Sequence, residues 1–310
     1  MVAMKSVQSV VGVVVGAVLS LGVLAGCVSH DPFDSEGAGG GAPGGPVVIG
    51  TANFPESEII GQVWAAALEN AGYEVQVKSG IGSREVYMAA LQEGSVDIVP
   101  EYSGNLAQFF GAELDPGASE EQVLGTLRGV LPEGIVAGET AAAQSKDAFW
   151  VTEDFAQRHN VASLADLADV PVRLRLAGNP ELSKRPYGPS GLKELYGVGV
   201  DLVPISDGGG PLTIAALNEG TADVADIYTT TPTQGLVQLD DPKGMVLPQN
   251  VLPVMRARSV SVGAASVIRD VNIHVTTEAL TQMNHRNVGE GKQSAASVAR
   301  EFVDSVEVAP

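Results

Sequence analysis

Ala89-Ala90-Leu91-Gln92-Glu93-Gly94-Ser95-Val96-Asp97-Ile98-Val99-Pro100-Glu101-Tyr102 is echoed later in the chain by Ala215-Ala216-Leu217-Asn218-Glu219-Gly220-Thr221-Ala222-Asp223-Val224-Ala225-Asp226-Ile227-Tyr228. Seven of fourteen positions are identical: Ala, Ala, Leu, Glu, Gly, Asp and Tyr. Each copy reads as the end of a helix, a Gly stop, a short apolar strand and a tyrosine at the strand's carboxyl end. Ligands of open α/β sheets sit beyond the carboxyl ends of the strands. The repeat therefore predicts two similar halves, each giving one tyrosine, Tyr102 and Tyr228, to a shared site. The competing reading is that helix–Gly–strand passages are common in α/β proteins and a match this short arises by chance.

Outward from the repeat, the same alternation continues. Val47–Thr51 is β-rich, and Ile59, Ile60, Val63, Trp64, Ala67 and Leu68 form a helical stripe that Gly72 stops. Tyr73, Val75 and Val77 alternate with polar residues as in a strand, and Ser83 is placed to cap a helix running to Glu93. Helical patterns return at 119–131, 163–168, 190–196, 211–220, 277–284 and 295–303. Strand-like runs stand at 135–137, 148–151, 172–177, 202–205, 224–228, 245–247 and 251–255. Strands alternating with helices predict an α/β protein. No long linker separates the copies of the repeat, as expected if the chain crosses between two lobes more than once.

The chain has 310 residues, 45% hydrophobic and 18% charged, enough for two domains with a proper core. Its net charge of −19 argues against nucleic acid, whose binders need basic patches, and against a polybasic membrane surface. Val7–Gly26 is uncharged and mostly apolar after Lys5, and ends in Leu24-Ala25-Gly26-Cys27. This resembles the lipobox of bacterial lipoproteins, in which the cysteine is lipidated and becomes the first mature residue. A retained signal anchor is the alternative, since about twenty apolar residues can span a bilayer; the small residues before Cys27 favour cleavage. Residues 1–26 are thus expected to be a signal peptide and 27–46 a Gly/Pro-rich tether of about 25 Å r.m.s. length.

Catalytic patterns are weak. Cys27 is the only cysteine, which forbids an internal disulfide. The four histidines are scattered without metal-ligand spacing. Gly188-Pro189-Ser190-Gly191 lacks the glycine after x-Ser-x that a nucleophile elbow needs. Gly80-x-Gly82 lacks the third glycine of a dinucleotide fingerprint, and Gly208–Gly210 lacks the Lys-Ser/Thr of a phosphate loop. Glu56 and Glu58, at a helix start, are read as serving the helix dipole. No metal or cofactor is expected, and an enzyme remains a remote alternative.

Several motifs then coincide in order and spacing. They are Gly50-Thr51-Ala52-Asn53-Phe54-Pro55-Glu56-Ser57, Gly80-Ile81-Gly82-Ser83, Pro100-Glu101-Tyr102-Ser103-Gly104, and Asn179-Pro180-Glu181-Leu182 with Arg185-Pro186. Gly191-Leu192-Lys193, Asp223 to Tyr228-Thr229-Thr230, Asp240-Asp241-Pro242-Lys243, Leu247-Pro248 and Val298-Ala299-Arg300-Glu301-Phe302 complete the set. Over roughly residues 47–305 the chain resembles the substrate-binding proteins of ABC importers for glycine betaine, carnitine, choline and related osmoprotectants. The resemblance implies a two-lobed periplasmic-binding-protein fold of type II with the ligand cleft between lobes. Lobe 1 is expected at 47–146 plus 251–310 and lobe 2 at 147–250. It also implies a monomer on the outer face of the cytoplasmic membrane that captures a small solute for a separate permease and ATPase.

A quaternary ammonium cannot donate a hydrogen bond and is held by aromatic faces, about 0.5–2 kcal/mol each. The family uses a tyrosine cage and an arginine that reads the ligand's carboxylate. Tyr102 and Tyr228 fall at two cage positions; the alternative is ordinary strand-end tyrosine. Arg185, four residues after Glu181, falls at the arginine position, a bidentate carboxylate reader; the alternative is an ion pair with Glu181. Asn53 and Glu181 belong to motifs at the expected site. Departures are informative. Asp147 and Asn250 stand where the family has further tyrosines, Ala52 where it often has a polar contact, and Asn105 where threonine is usual. Two missing tyrosines amount to about 1–4 kcal/mol of cation binding. Asp147 is expected either to serve as a counter-ion or to reshape the pocket for a more hydroxylated ligand. The same fold with a different small polar or aromatic solute is therefore the alternative to a quaternary ammonium.

Overall fold

The computed structural model describes residues 45–289 and 291–306. The expected signal peptide, the lipidation cysteine Cys27 and the tether up to residue 44 lie outside the described residues.

The strands are β1 (Val47–Gly50), β2 (Val75–Lys78), β3 (Ile98–Tyr102), β4 (Ile135–Ala137), β5 (Asp147–Thr152), β6 (Leu174–Gly178), β7 (Val200–Pro204), β8 (Val224–Tyr228), β9 (Leu236–Gln238) and β10 (Val251–Arg256). The α-helices are α1 (Pro55–Asn70), α2 (Arg84–Glu93), α3 (Ser103–Phe109), α4 (Glu120–Val130), α5 (Glu153–His159), α6 (Pro189–Tyr196), α7 (Pro211–Asn218), α8 (Val262–Asn272), α9 (Thr277–Val288) and α10 (Ala295–Ser305).

The strands form two five-stranded sheets, ordered β2-β1-β3-β10-β4 and β7-β6-β8-β5-β9. The two orders match position for position. In each sheet four strands run in one direction, and a single antiparallel strand, β10 or β5, lies between the one that carries the repeat and the edge strand β4 or β9. β3 and β8 are the central strands, so the two copies of the repeat sit at equivalent places in opposite sheets. The α/β expectation holds.

The repeat's shared aspartate has a structural job in both copies. Asp97 N–H donates to the Val48 carbonyl at 2.7 Å, and its carboxylate accepts from Val48 N–H at 2.9 Å. Asp223 does the same with Arg175, both bonds at 2.9 Å. Each aspartate thus locks its strand into register with a parallel neighbour. Gly94 and Gly220 end the preceding helices with φ of +86° and +69°, a left-handed turn that glycine makes without a Cβ clash.

α1 buries Ile59, Ile60, Val63, Trp64 and Leu68, and α8, α9 and α10 pack against it. Trp64 is wholly buried, yet its indole N–H donates to Asn272 at 2.8 Å, so its polar atom is satisfied. Several boundaries depart from expectation. Ser83 stands at the N-cap of α2, but its hydroxyl donates to Glu85 rather than accepting from the helix. The strand expected at 245–247 is absent; Val246 N–H is taken by the Asp241 carboxylate instead of a ladder. β9 provides that sheet's edge.

The chain passes between the sheets near 141–147 and again near 248–251. These two passages run antiparallel. Ser145 N–H donates to the Gln249 carbonyl at 3.1 Å, and Val251 N–H to that of Ala143 at 3.1 Å.

Candidate functional site

Tyr102 and Tyr228 end β3 and β8, and both line one cavity between the two sheets' strand ends. It encloses about 90 Å³, well below the roughly 300 Å³ at which drug-sized pockets begin. The space suits a small solute.

The repeat places the tyrosines, and Phe54 joins them. Phe54 precedes α1, and its ring lies 6.2 Å from that of Tyr102 and 5.4 Å from that of Tyr228. Tyr87 from α2 and Tyr187, after the 3₁₀ turn at Pro180–Lys184, add two more rings to the lining. Burial pushes the Tyr102, Tyr187 and Tyr228 phenols well above their ordinary range, so all three stay neutral.

Two buried carboxyl groups face the same space. Asp147 begins β5 opposite Tyr228 in the antiparallel register. Asp226 lies on β8, one alternation before Tyr228, on the same face. Asp147 and Asp226 are 6% and 7% exposed. Asn105 Nδ2 donates to Asp147 Oδ2 at 2.7 Å. Burial raises the Asp147 carboxyl, with Asn105 and Arg84 opposing. Burial and then the adjacent Asp147 hold Asp226 well above the usual carboxylate range.

The guanidiniums at the cavity are already engaged. Arg84 pairs bidentately with the buried Glu101, at 2.7 and 3.0 Å, and Glu101 also accepts from the Tyr87 hydroxyl at 2.7 Å. Arg185 lines the cavity, and the ion pair considered with Glu181 does not form. Its partner is Glu85 at 3.1 Å, and its guanidinium carbon stands 6.0 Å from the centre of the Phe109 ring.

Glu181, Asn53 and Asn105 also line the cavity. Asn250 does not. It is buried in the second passage, with its N–H donating to Ser103 Oγ at 3.0 Å. Glu56 is more than a dipole partner for α1. It is 4% exposed and accepts from the Tyr102 hydroxyl at 2.7 Å, from Asn284 Nδ2 at 2.6 Å and from Thr230. It thus ties α1, β3, α9 and the segment after β8 together beneath the cavity.

Phe54, Arg84, Tyr87, Tyr187 and Asp226 were not singled out as site residues by the sequence. Asp226 sits inside the repeat, but opposite Pro100, so identity between copies passes over it. Tyr87 lies on a helix where an aromatic reads as core.

A family model for the substrate-binding domain of the ABC-type glycine betaine transport system matches residues 45–305. The glycine betaine-binding protein YehZ of Escherichia coli (strain K12) is 28% identical over 225 residues, 68% of this chain and 74% of that protein. A glycine-betaine-binding protein of Pseudomonas aeruginosa is 30% identical over 162 residues, 48% of this chain and 51% of that one. Among solved structures, a glycine betaine/carnitine/choline ABC transporter protein superposes with a TM-score of 0.65 at 23% identity, covering 83% of this chain and 97% of its own. Apo YehZ of Escherichia coli gives 0.59 at 25% identity, covering 84% and 98%. The fold is the periplasmic-binding-protein fold, and the chain belongs to the family of substrate-binding domains of ABC-type glycine betaine transport systems.

Proposed function

We propose that this protein captures a quaternary-ammonium osmoprotectant of the glycine betaine, choline or carnitine type outside the cytoplasm and delivers it to an ABC permease. The observation that carries the reading is five aromatic side chains, Phe54, Tyr87, Tyr102, Tyr187 and Tyr228, around a small cavity with more negative than positive charge. Aromatic faces and carboxylates attract a methylated ammonium, which offers no hydrogen bond of its own. Family membership points the same way.

The action is binding without turnover. Lobe 1, residues 47–146 with 251–310, and lobe 2, residues 147–250, close on the solute. Its preference for the closed state supplies the free energy of closure. Among the described residues no helix is long and apolar enough to cross a membrane. Permease and ATPase are thus assigned to partner chains, and membrane attachment to a lipid on Cys27. Tyr102, Tyr228, Asp147, Asn105, Asn53, Glu181 and Arg185 are assigned to the ligand; Asn250 acts, if at all, through the passage it stabilises.

Isothermal titration of the purified full-length chain with glycine betaine, choline, carnitine and proline betaine tests the reading. Micromolar affinity for at least one is expected. Heats of dilution only, from a protein shown to be folded, would overturn it.

A further inference from the structure

The charges around the cavity do not balance. Asp147, Glu181 and Asp226 are three carboxyl groups on its lining; Arg84 and Arg185 are two guanidiniums there, each already paired with a carboxylate outside the lining, Glu101 and Glu85. Neither Asp147 nor Asp226 forms an ion pair with a lysine or arginine of the described residues. Asp226 Oδ1 is buried and has no hydrogen-bond donor. Its neighbour is the Asp147 carboxyl, which accepts from Asn105 on one oxygen and can hydrogen-bond Asp226 only when a proton lies between the two; once both are ionised, each is an acceptor.

We propose that this pair makes the site selective for a cation with its own hydrogen-bond donor and no carboxylate, a choline-type alcohol rather than the zwitterionic betaine. The inference rests on the quaternary-ammonium reading above and narrows it. Glycine betaine has no donor hydrogen. It would leave Asp226 Oδ1 unpartnered, and a buried acceptor without a donor costs about 1–3 kcal/mol. It would also bring a further carboxylate into a cavity whose two guanidiniums are occupied. A hydroxyl donates to Asp226, while the methylated ammonium lies against the rings of Phe54, Tyr102 and Tyr228 and supplies the missing positive charge.

Specificity built on a hydrogen bond to a buried group is steep, because the wrong ligand leaves that group unpaired. The test is calorimetric titration of the full-length protein and of Asp226→Asn with choline, glycine betaine and tetramethylammonium, the last having neither donor nor carboxylate. Choline is expected to bind at least tenfold more tightly than glycine betaine and at least fivefold more tightly than tetramethylammonium. In Asp226→Asn the choline advantage over tetramethylammonium is expected to shrink to threefold or less. Glycine betaine equal to or better than choline on the unaltered protein overturns the proposal while leaving the quaternary-ammonium reading intact. Choline equal to tetramethylammonium overturns it too. If none of the three binds the folded protein, the quaternary-ammonium reading itself falls. The comparison of the three ligands on the unaltered protein stands even if Asp226→Asn does not fold.

Discussion

Asp226 is the residue on which most turns. Its carboxyl ionises well above the ordinary 3.8, first because it is buried and then because Asp147 adjoins it. Between the unfolded and folded values the folded protein holds more protons than the unfolded chain. The empty protein is therefore expected to lose stability as pH rises through that window. Arg84, Arg185, Asn105, Tyr187 and Tyr228 face the pair and set where the window lies. A bound cation favours the ionised pair, so choline affinity is expected to rise over the same window, by up to about tenfold per pH unit for one proton. Asp226→Asn should flatten both trends, read by urea unfolding and by titration from pH 5 to 8. The aromatic faces are tested separately. Tyr228→Ala and Tyr102→Ala should each weaken choline binding by about 0.5–2 kcal/mol, roughly 2- to 30-fold. Tyr228→Phe keeps the face and should retain most of the affinity. An unchanged affinity in both alanine variants would remove the cage. At this scale the sequence showed the tyrosines because they recur between the copies. It did not show Asp226 or Tyr187, whose roles depend on strands and turns meeting from different parts of the chain.

At the scale of elements, the repeat is a helix, a stop, a strand and an aspartate that fastens the strand to its neighbour. The two aspartates differ in surroundings, and so should their worth. The Asp97 side chain is 15% exposed and accepts from the half-buried Val48 N–H. Asp97→Ala is expected to cost about 1–3 kcal/mol in urea unfolding, since it leaves that donor unpaired. Asp223 works at a more open place, where the Arg175 side chain is 44% exposed, and its bidentate pair is screened by water. Asp223→Ala should cost about 1 kcal/mol or less. Equal losses would contradict this account of the repeat. Two of the elements that sequence patterning missed share a cause. α3 starts Ser103-Gly104-Asn105, poor helix formers, and is held by the second passage: Gly104 N–H donates to the Pro248 carbonyl at 3.1 Å and Asn105 N–H to Gln249 Oε1 at 2.9 Å. α8 carries Val262, Gly263 and Val267, yet Ala264, Val267, Ile268 and Val271 form a buried stripe against α1. In both cases tertiary contact overrides weak propensity.

For the whole molecule, what matters is contact across the cleft. Asn105 reaches Asp147, Arg185 reaches Glu85, and Phe54 packs on Tyr228 and against Gly208. Gly208 has φ of +67°, and a Cβ there would stand 2.6 Å from Phe54 Cβ. Gly208→Ala is thus expected to oppose closure as well as strain the backbone, weakening ligand binding about fivefold or more. Gly197 is the matched control, with φ of +75° and open space around it. Gly197→Ala should cost similar stability, about 1 kcal/mol, and leave affinity unchanged. Equal affinity losses in the two variants would mean that Gly208 acts through strain alone. The two-sheet plan was legible because identical residues recur at matching places. The closeness of the lobes was not, because it depends on a glycine and a phenylalanine far apart in the chain. The most direct test of the central claim is where the ligand's methyl groups rest. Isotope-filtered nuclear Overhauser spectra of the protein with methyl-¹³C choline should show contacts from the N-methyl protons to the rings of Phe54, Tyr102 and Tyr228. Bound choline whose methyl protons touch none of these rings would contradict the account.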